Sequence, residues 1–227
     1  MRWILFELNP PPSCLLWDVD GTMIDTTNLI VASLDHAYKT YFGRTLPVSE
    51  LRALIGLPLK TQVRIFGEPE NFRTDAETVM AACIEYYETH RNQERVLNKV
   101  TQLLREGKER GIPTGLVTSK NREELQNTLP RLEIAAYIDS AVTADDVIRP
   151  KPAPDGILLA LDQLNVVEER RPFAVYIGDT VHDMQAARDA GVIGIAVSWG
   201  AAMRSQLESE HPFCICETPE SLKSLLF

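Results

Sequence analysis

The chain has 227 residues, long for one small domain and short for two full ones, so a main domain carrying an insertion is expected. Its 32 acidic and 23 basic side chains leave a net charge of −9 with no cluster of Lys and Arg among aromatics, which argues against a nucleic-acid or anionic-membrane surface. With 44% hydrophobic and 24% charged residues it falls in the globular range and away from disorder.

The first stretch, Arg2-Trp3-Ile4-Leu5-Phe6, has one basic residue and too short an apolar run for a secretory signal, and Pro10-Pro11-Pro12 follows at once, so it reads as an irregular leader. No later segment approaches the roughly 18 consecutive apolar residues of a membrane span, and a soluble, cytoplasmic protein is expected. Cys14, Cys83, Cys214 and Cys216 are scattered. The close pair has one intervening residue, against two or more in zinc motifs, so reduced thiols are expected, with Cys214 and Cys216 in a terminal strand.

Leu15-Leu16-Trp17 is a short apolar strand that breaks into Asp18-Val19-Asp20-Gly21-Thr22, a turn delivering two carboxylates where a sheet would meet solvent. The next sheet strand, Thr114 to Thr118, begins so late that Asp20 and Thr118 stand 98 positions apart, whereas a whole strand-helix-strand crossover needs only about 30 residues. The interval is patterned as helix almost throughout, through Leu29-Ile30, Leu34, Ala37 and Tyr38, then Leu51, Leu54 and Ile55, then Val79, Ala82, Cys83, Tyr86 and Tyr87. An all-helical module over residues 26–92 is therefore expected to be inserted into an α/β core formed by residues 1–25 and 93–227. Its linkers, just after Asp25 and around Asn92 to Asn98, pass close to the carboxylates and would let it open and close over them.

Beyond the insertion, strands alternate with helices. Ala135 to Val142, Phe173 to Ile177 and Ile193 to Val197 read as strands, and Met184 to Ala190 as a helix ended by Gly191. The fold class is α/β, a Rossmann-like parallel sheet flanked by helices on both faces.

Each strand end carries a chemical group. Alone, Asp18 and Asp20 also read as a structural turn. Thr118-Ser119-Lys120 offers a hydroxyl and exposed amides to phosphate oxygens, or a helix N-cap. Arg149-Pro150-Lys151-Pro152 holds one lysine between prolines, either a fixed ammonium or an exposed loop lysine. Gly178-Asp179-Thr180-Val181-His182-Asp183 adds two carboxylates four apart at a helix start, of which N-capping explains one. In a parallel sheet all four ends converge at one edge, a site for a phosphoryl group and a hard divalent cation. Carboxylates without a His or Cys cluster favour oxygen-liganded Mg²⁺ over zinc, and Lys151 with that cation would offset their repulsion.

With these motifs in this order from Cys14 to about Gly200, including Asp25-Thr26 and Trp199-Gly200, the chain resembles the haloacid dehalogenase superfamily, in its phosphoglycolate phosphatase-like branch with a helical cap. The resemblance implies a phosphatase in which Asp18 is the nucleophile and forms an aspartyl-phosphate. Asp20 is implied as the acid and base, its backbone carbonyl also binding Mg²⁺. Thr118 and the Ser119 amide are implied to hold the phosphoryl oxygens, Lys151 to bridge nucleophile and phosphate, and Asp18, Asp20, Asp179 and Asp183 to form the metal site. Asp183 is expected to orient Lys151 or a metal-bound water in preference to ligating directly. The substrate is expected to be a small phosphorylated metabolite, with Lys60, Arg64 and Lys120 as candidates to grip its leaving group. His36, His90, His182 and His211 receive no catalytic role, and no residue pattern bears on oligomeric state.

Asp20 argues against the dehalogenase and phosphonatase branches, which differ there. A sugar-phosphate mutase keeps the same core sites and grips a second phosphate, usually with an arginine after a cap glycine; here Gly56-Leu57-Pro58-Leu59-Lys60 puts Leu59 at that place, with Lys60 beside it. A non-catalytic binding protein on this fold is the remaining alternative, opposed by the presence of Asp18, Asp20, Lys151 and Asp179.

Overall fold

The computed structural model describes residues 8, 10–67 and 75–227, and in it Leu15–Trp17 forms the first strand, β1, buried along its whole length. The expected leader at residues 2–6 lies outside the described residues. After the Asp18–Thr22 turn comes a two-residue strand, β2 (Ile24–Asp25), and then four helices: α1 (Thr27–Phe42), α2 (Val48–Ala53), α3 (Leu59–Gly67) and α4 (Ala76–Thr89). The chain returns through β3 (Arg95–Val96) and continues as α5 (Asn98–Glu109), β4 (Thr114–Val117), α6 (Arg122–Leu132), β5 (Ser140–Val142), α7 (Asp155–Gln163), β6 (Val175–Gly178), α8 (Val181–Asp189), β7 (Ile193–Val197), α9 (Arg204–Ser209), β8 (Cys214–Cys216) and α10 (Pro219–Leu226).

Six strands form one parallel sheet in the order β5-β4-β1-β6-β7-β8. The register pairs Trp17 with Leu116 on one side and Ile177 on the other, so β1, β4 and β6 end level with one another. Alternation then sorts the side chains. Leu15, Trp17, Leu116, Val175 and Ile177 face α5, α6 and α10 through Leu103, Leu104, Leu125 and Leu222. Leu16, Val117 and Tyr176 face α7 and α8 through Ile157, Leu161, Ala186 and Ala187. Burial on both faces explains why these strands read as unbroken apolar runs.

One expected strand is shorter than its pattern. Of Ala135 to Val142 only the last three residues pair with β4, because Ala135–Tyr137 closes a 3₁₀ turn first. Strand starts are also trimmed, Phe173 falling in a 3₁₀ segment before β6.

Helices α1 to α4 enclose an apolar cluster of their own, with Leu34, Tyr38, Leu51, Val63, Val79 and Cys83 at its centre. Gly43 ends α1 in the left-handed conformation at φ 69°, where a side chain would be strained. The chain leaves and re-enters the α/β core through adjacent strands, since β2 and β3 pair antiparallel with Asp25 opposite Arg95, and these two side chains form an ion pair at 3.1 Å. Among the described residues no helix is long and apolar enough to cross a membrane. All four cysteines are free.

Candidate active site

Residues from the ends of β1, β4 and β6, with Lys151 from the loop after β5, meet at one edge of the sheet. Asp18 follows β1 directly and is 4% exposed. Lys151, equally buried, puts its Nζ 2.7 Å from Asp18 Oδ1 and 2.7 Å from Asp183 Oδ1, and donates to the Tyr176 hydroxyl at 3.0 Å. It is not an exposed loop lysine. The Tyr176 hydroxyl lies 2.9 Å from Asp183 Oδ1 and 3.0 Å from the Val117 carbonyl, either of which accepts its proton.

Local helix chemistry fixes the second pair of aspartates. Thr180 is the N-cap of α8 and Asp183 its third helical residue, in a reciprocal capping box where Asp183 Oδ2 accepts from the Thr180 amide at 2.9 Å and hydroxyl at 2.6 Å. That leaves Asp183 Oδ1 facing Lys151. Asp179, just before the cap, is wholly buried and accepts from the Thr22 hydroxyl at 2.9 Å and the Ala201 amide at 2.6 Å. Gly21 and Gly200 flank it so closely that a Cβ on either would overlap the carboxylate, and Gly21 also stands at φ 74°. Trp199 closes this side by donating to the Thr22 carbonyl at 3.1 Å.

Carboxylate oxygens of Asp18, Asp179 and Asp183 all lie within 4.8 Å of one another. Burial pushes Asp18 up to about 7; Lys151 pulls it down, but Asp183 adds to the rise. Burial, with Asp18 and Asp183, likewise holds Asp179 well above the carboxylate range. Asp183 stays below that range because its ion pair with Lys151 outweighs burial. Lys151 is held above the ordinary lysine value, as its two carboxylates overcome the burial that would lower it. One lysine is thus too little charge for three buried carboxylates. A compact, oxygen-only donor set with surplus negative charge fits a hard divalent cation.

Asp20 stands apart from this cluster, its Oδ1 accepting from the Thr26 hydroxyl at 2.9 Å and its Oδ2 paired with Lys120 Nζ at 2.9 Å. Thr26 is the N-cap residue of α1 yet makes no side-chain cap, its hydroxyl being turned to Asp20. Thr118 and Ser119 line the same cavity as Asp18 and Asp20. The N-cap of α6 is Asn121, in a capping box with Glu124, so Thr118 is not the cap. The Ser119 hydroxyl donates to the Gly56 carbonyl at 2.5 Å, tying the end of β4 to the helical insertion. His182 reaches the Ala53 carbonyl at 3.4 Å, and burial lowers its pKa.

A cavity of about 100 Å³ runs from Asp18, Asp20, Thr118 and Ser119 into the insertion, where Ile30, Ile55, Leu57, Leu59 and Ile84 line it. Lys120 lies on its wall, but Lys60 and Arg64 do not; both are exposed, and Leu59 and Gln62 are the α3 residues that face in. Arg91 and Tyr87, the latter beneath the Lys120 ammonium at 5.5 Å, also line it. Sequence reasoning gave no role to Tyr87, Arg91, Glu124 or Tyr176. A polar or aromatic residue inside an apolar pattern was the available signal for Tyr176.

A family model described as haloacid dehalogenase-like hydrolase matches residues 15–197. A pyrophosphatase PpaX of Bacillus velezensis is 32% identical, covering 88% of this chain and 90% of its own, and a pyrophosphatase PpaX of Bacillus cereus is 29% identical, covering 93% and 95%. In fold, the chain superposes on the crystal structure of a hydrolase from Pseudomonas syringae with a TM-score of 0.82 at 24% identity, over 92% of this chain and 95% of the other.

Proposed function

The chain belongs to the haloacid dehalogenase-like hydrolases and is a phosphatase, and from that premise we propose that it hydrolyses a small phosphomonoester through an aspartyl-phosphate on Asp18, with Mg²⁺ as cofactor. The observation that carries this reading is the division of labour between two aspartates on one strand end. Asp18 is buried against Lys151 and the metal-type carboxylate cluster, while Asp20 points away from that cluster toward Thr26 and Lys120.

In the first half-reaction a carboxylate oxygen of Asp18 attacks phosphorus in line with the leaving oxygen, and the ester P–O bond breaks. Lys151 supplies positive charge beside the attacking carboxylate, and Thr118 with the Ser119 amide holds the phosphoryl oxygens. Asp20, protonated, gives its proton to the departing alkoxide. In the second half Asp20 takes a proton from a water that attacks the same phosphorus, releasing inorganic phosphate and restoring Asp18. A divalent cation held by Asp18, Asp179, the Asp20 backbone carbonyl and Asp183, the last directly or through water, would screen the carboxylates and the phosphoryl oxygens and keep Asp18 ionised. Asp183 also positions Lys151.

The helical module of residues 26–92 acts as a cap, and the paired strands β2 and β3 as its hinge, so that closure shields the acyl phosphate from bulk water. Leu59 on the cavity wall, with Lys60 turned to solvent, favours hydrolysis over the mutase alternative, since no basic residue of α3 is there to hold a second phosphate.

Phosphate release from p-nitrophenyl phosphate and small alkyl phosphates tests the reading. Activity with Mg²⁺ is expected to fall at least about 100-fold in EDTA and to return when Mg²⁺ is restored. Activity that survives EDTA, or an isomeric phosphosugar as the main product, would contradict it.

A further inference from the structure

We infer that the leaving-group half of the cavity selects a phosphomonoester whose alcohol is small and uncharged, and discriminates against one bearing a second carboxylate or phosphate. This rests on the phosphatase reading above, which places the phosphoryl group at Asp18 and therefore the alcohol beyond Asp20, against the insertion.

Apolar side chains form much of that half: Ile30, Ile55, Leu57, Leu59 and Ile84. Two cations also line it, and each is already committed to a carboxylate. Lys120 is 10% exposed in its side chain and pairs with Asp20 at 2.9 Å, and Glu124 remains beside it as a carboxylate when Asp20 carries the proton; burial works to lower its pKa, but Asp20 and Glu124 hold it above the ordinary value. Arg91 pairs with Glu88 at 2.9 Å and lies 3.5 Å from Glu94. Glu94 is 1% exposed in its side chain and is shared with Arg131 at 2.5 Å and the Tyr87 hydroxyl at 2.6 Å, so Arg91 sits against two carboxylates, with its Nε making no hydrogen bond.

Glu88 and Glu124 line the same space. An incoming anion would thus face two carboxylates and would have to break an existing ion pair to gain a partner. An uncharged alcohol meets none of these costs and buries its carbon against the apolar wall. The cavity's volume of about 100 Å³ suits a small alcohol better than a large one.

The test compares phosphoglycolate with its neutral isostere, 2-amino-2-oxoethyl phosphate, and with pyrophosphate, using p-nitrophenyl phosphate as the activity control, all with Mg²⁺. The neutral ester should exceed phosphoglycolate and pyrophosphate in kcat/KM by at least about tenfold, the scale of placing like charges together. Glu88→Gln, which removes the nearest carboxylate of Arg91, should narrow the gap to phosphoglycolate severalfold, mainly through KM. Equal or better turnover of either anion, or an unchanged ratio in Glu88→Gln, overturns the inference and leaves the phosphatase reading standing. Failure to release phosphate from any of the four compounds, the small neutral ester included, overturns that reading itself.

Discussion

Asp18→Asn is expected to lower kcat by at least about 10⁴-fold, because an amide neither attacks phosphorus nor is replaced in that role by any neighbour. Asp20 faces away, and Asp183 is held by Lys151 and its capping box. The variant should nonetheless fold, and in metal-free buffer it should be the more stable protein at neutral pH. Asp18 in the folded chain sits at about 7, above the ordinary carboxylate value of 3.8. A carboxyl raised on folding favours the folded state fully below its unfolded pKa and loses that contribution as pH rises through the folded pKa. Wild-type and Asn proteins should therefore have similar stability near pH 4 and diverge up to pH 7, by a few kcal/mol (order of magnitude) at most. Thermal melts in EDTA across this range, beside phosphate-release kinetics, check both halves. Undiminished turnover would remove Asp18 from the mechanism.

Lys151→Met should cost both activity and stability. The substitution keeps the volume of the side chain and removes the cation bonded to Asp18 and Asp183, leaving buried carboxylates without their main partner. Breaking a buried pair from one side costs about 3–5 kcal/mol, and loss of charge stabilisation at the phosphoryl group lowers kcat by roughly 10²–10³-fold. The stability loss should shrink as pH falls from above 7 toward 4, because Asp18 is protonated below about 7 and Asp183, no longer held low by Lys151, takes up a proton in turn, and shrink again when Mg²⁺ is added. Denaturant melts at two pH values, with and without Mg²⁺, make the comparison. A loss independent of both would mean that Lys151 acts by packing alone.

The parallel sheet was legible because its strands are buried on both faces and so appear as apolar runs, as in Leu15-Leu16-Trp17 and Ile193 to Val197. Ala135 to Val142 misled for the same reason: Tyr137 and Ile138 are apolar because they pack against the core, while the backbone at Ala135–Tyr137 turns as a 3₁₀ helix. That Asp18, Thr118, Lys151 and Asp179 meet at one edge was legible because strand ends of a parallel sheet converge, whatever the intervening distance in sequence. Tyr176 could not. Its hydroxyl reaches Lys151 from within a strand whose pattern demands only that a large side chain fill the α7 and α8 side of the core.

Beyond the sheet edge, pattern recognition weakened. Lys60 and Gln62 sit two residues apart on α3, and only the packing of that helix decides that Gln62 faces the cavity while Lys60 faces solvent. Lys120 reads as a grip for substrate when taken alone, yet the fold gives it Asp20 as a partner. Arg91 lies in a linker, where periodicity carries no information about facing. Chemistry that depends on how helices α1 to α4 meet the core is therefore set by tertiary packing rather than by motif.

The claim on which the mechanism depends is that the phosphoryl group passes through Asp18. Rapid-quench of Asp20→Asn with p-nitrophenyl phosphate and Mg²⁺, followed by borohydride reduction and peptide mass spectrometry, tests it most directly. This variant retains the nucleophile and lacks the base that activates water, so the acyl phosphate should accumulate and be reduced to homoserine at position 18. An unmodified Asp18 peptide during burst release of nitrophenol, or reduction at any other carboxylate, would contradict it.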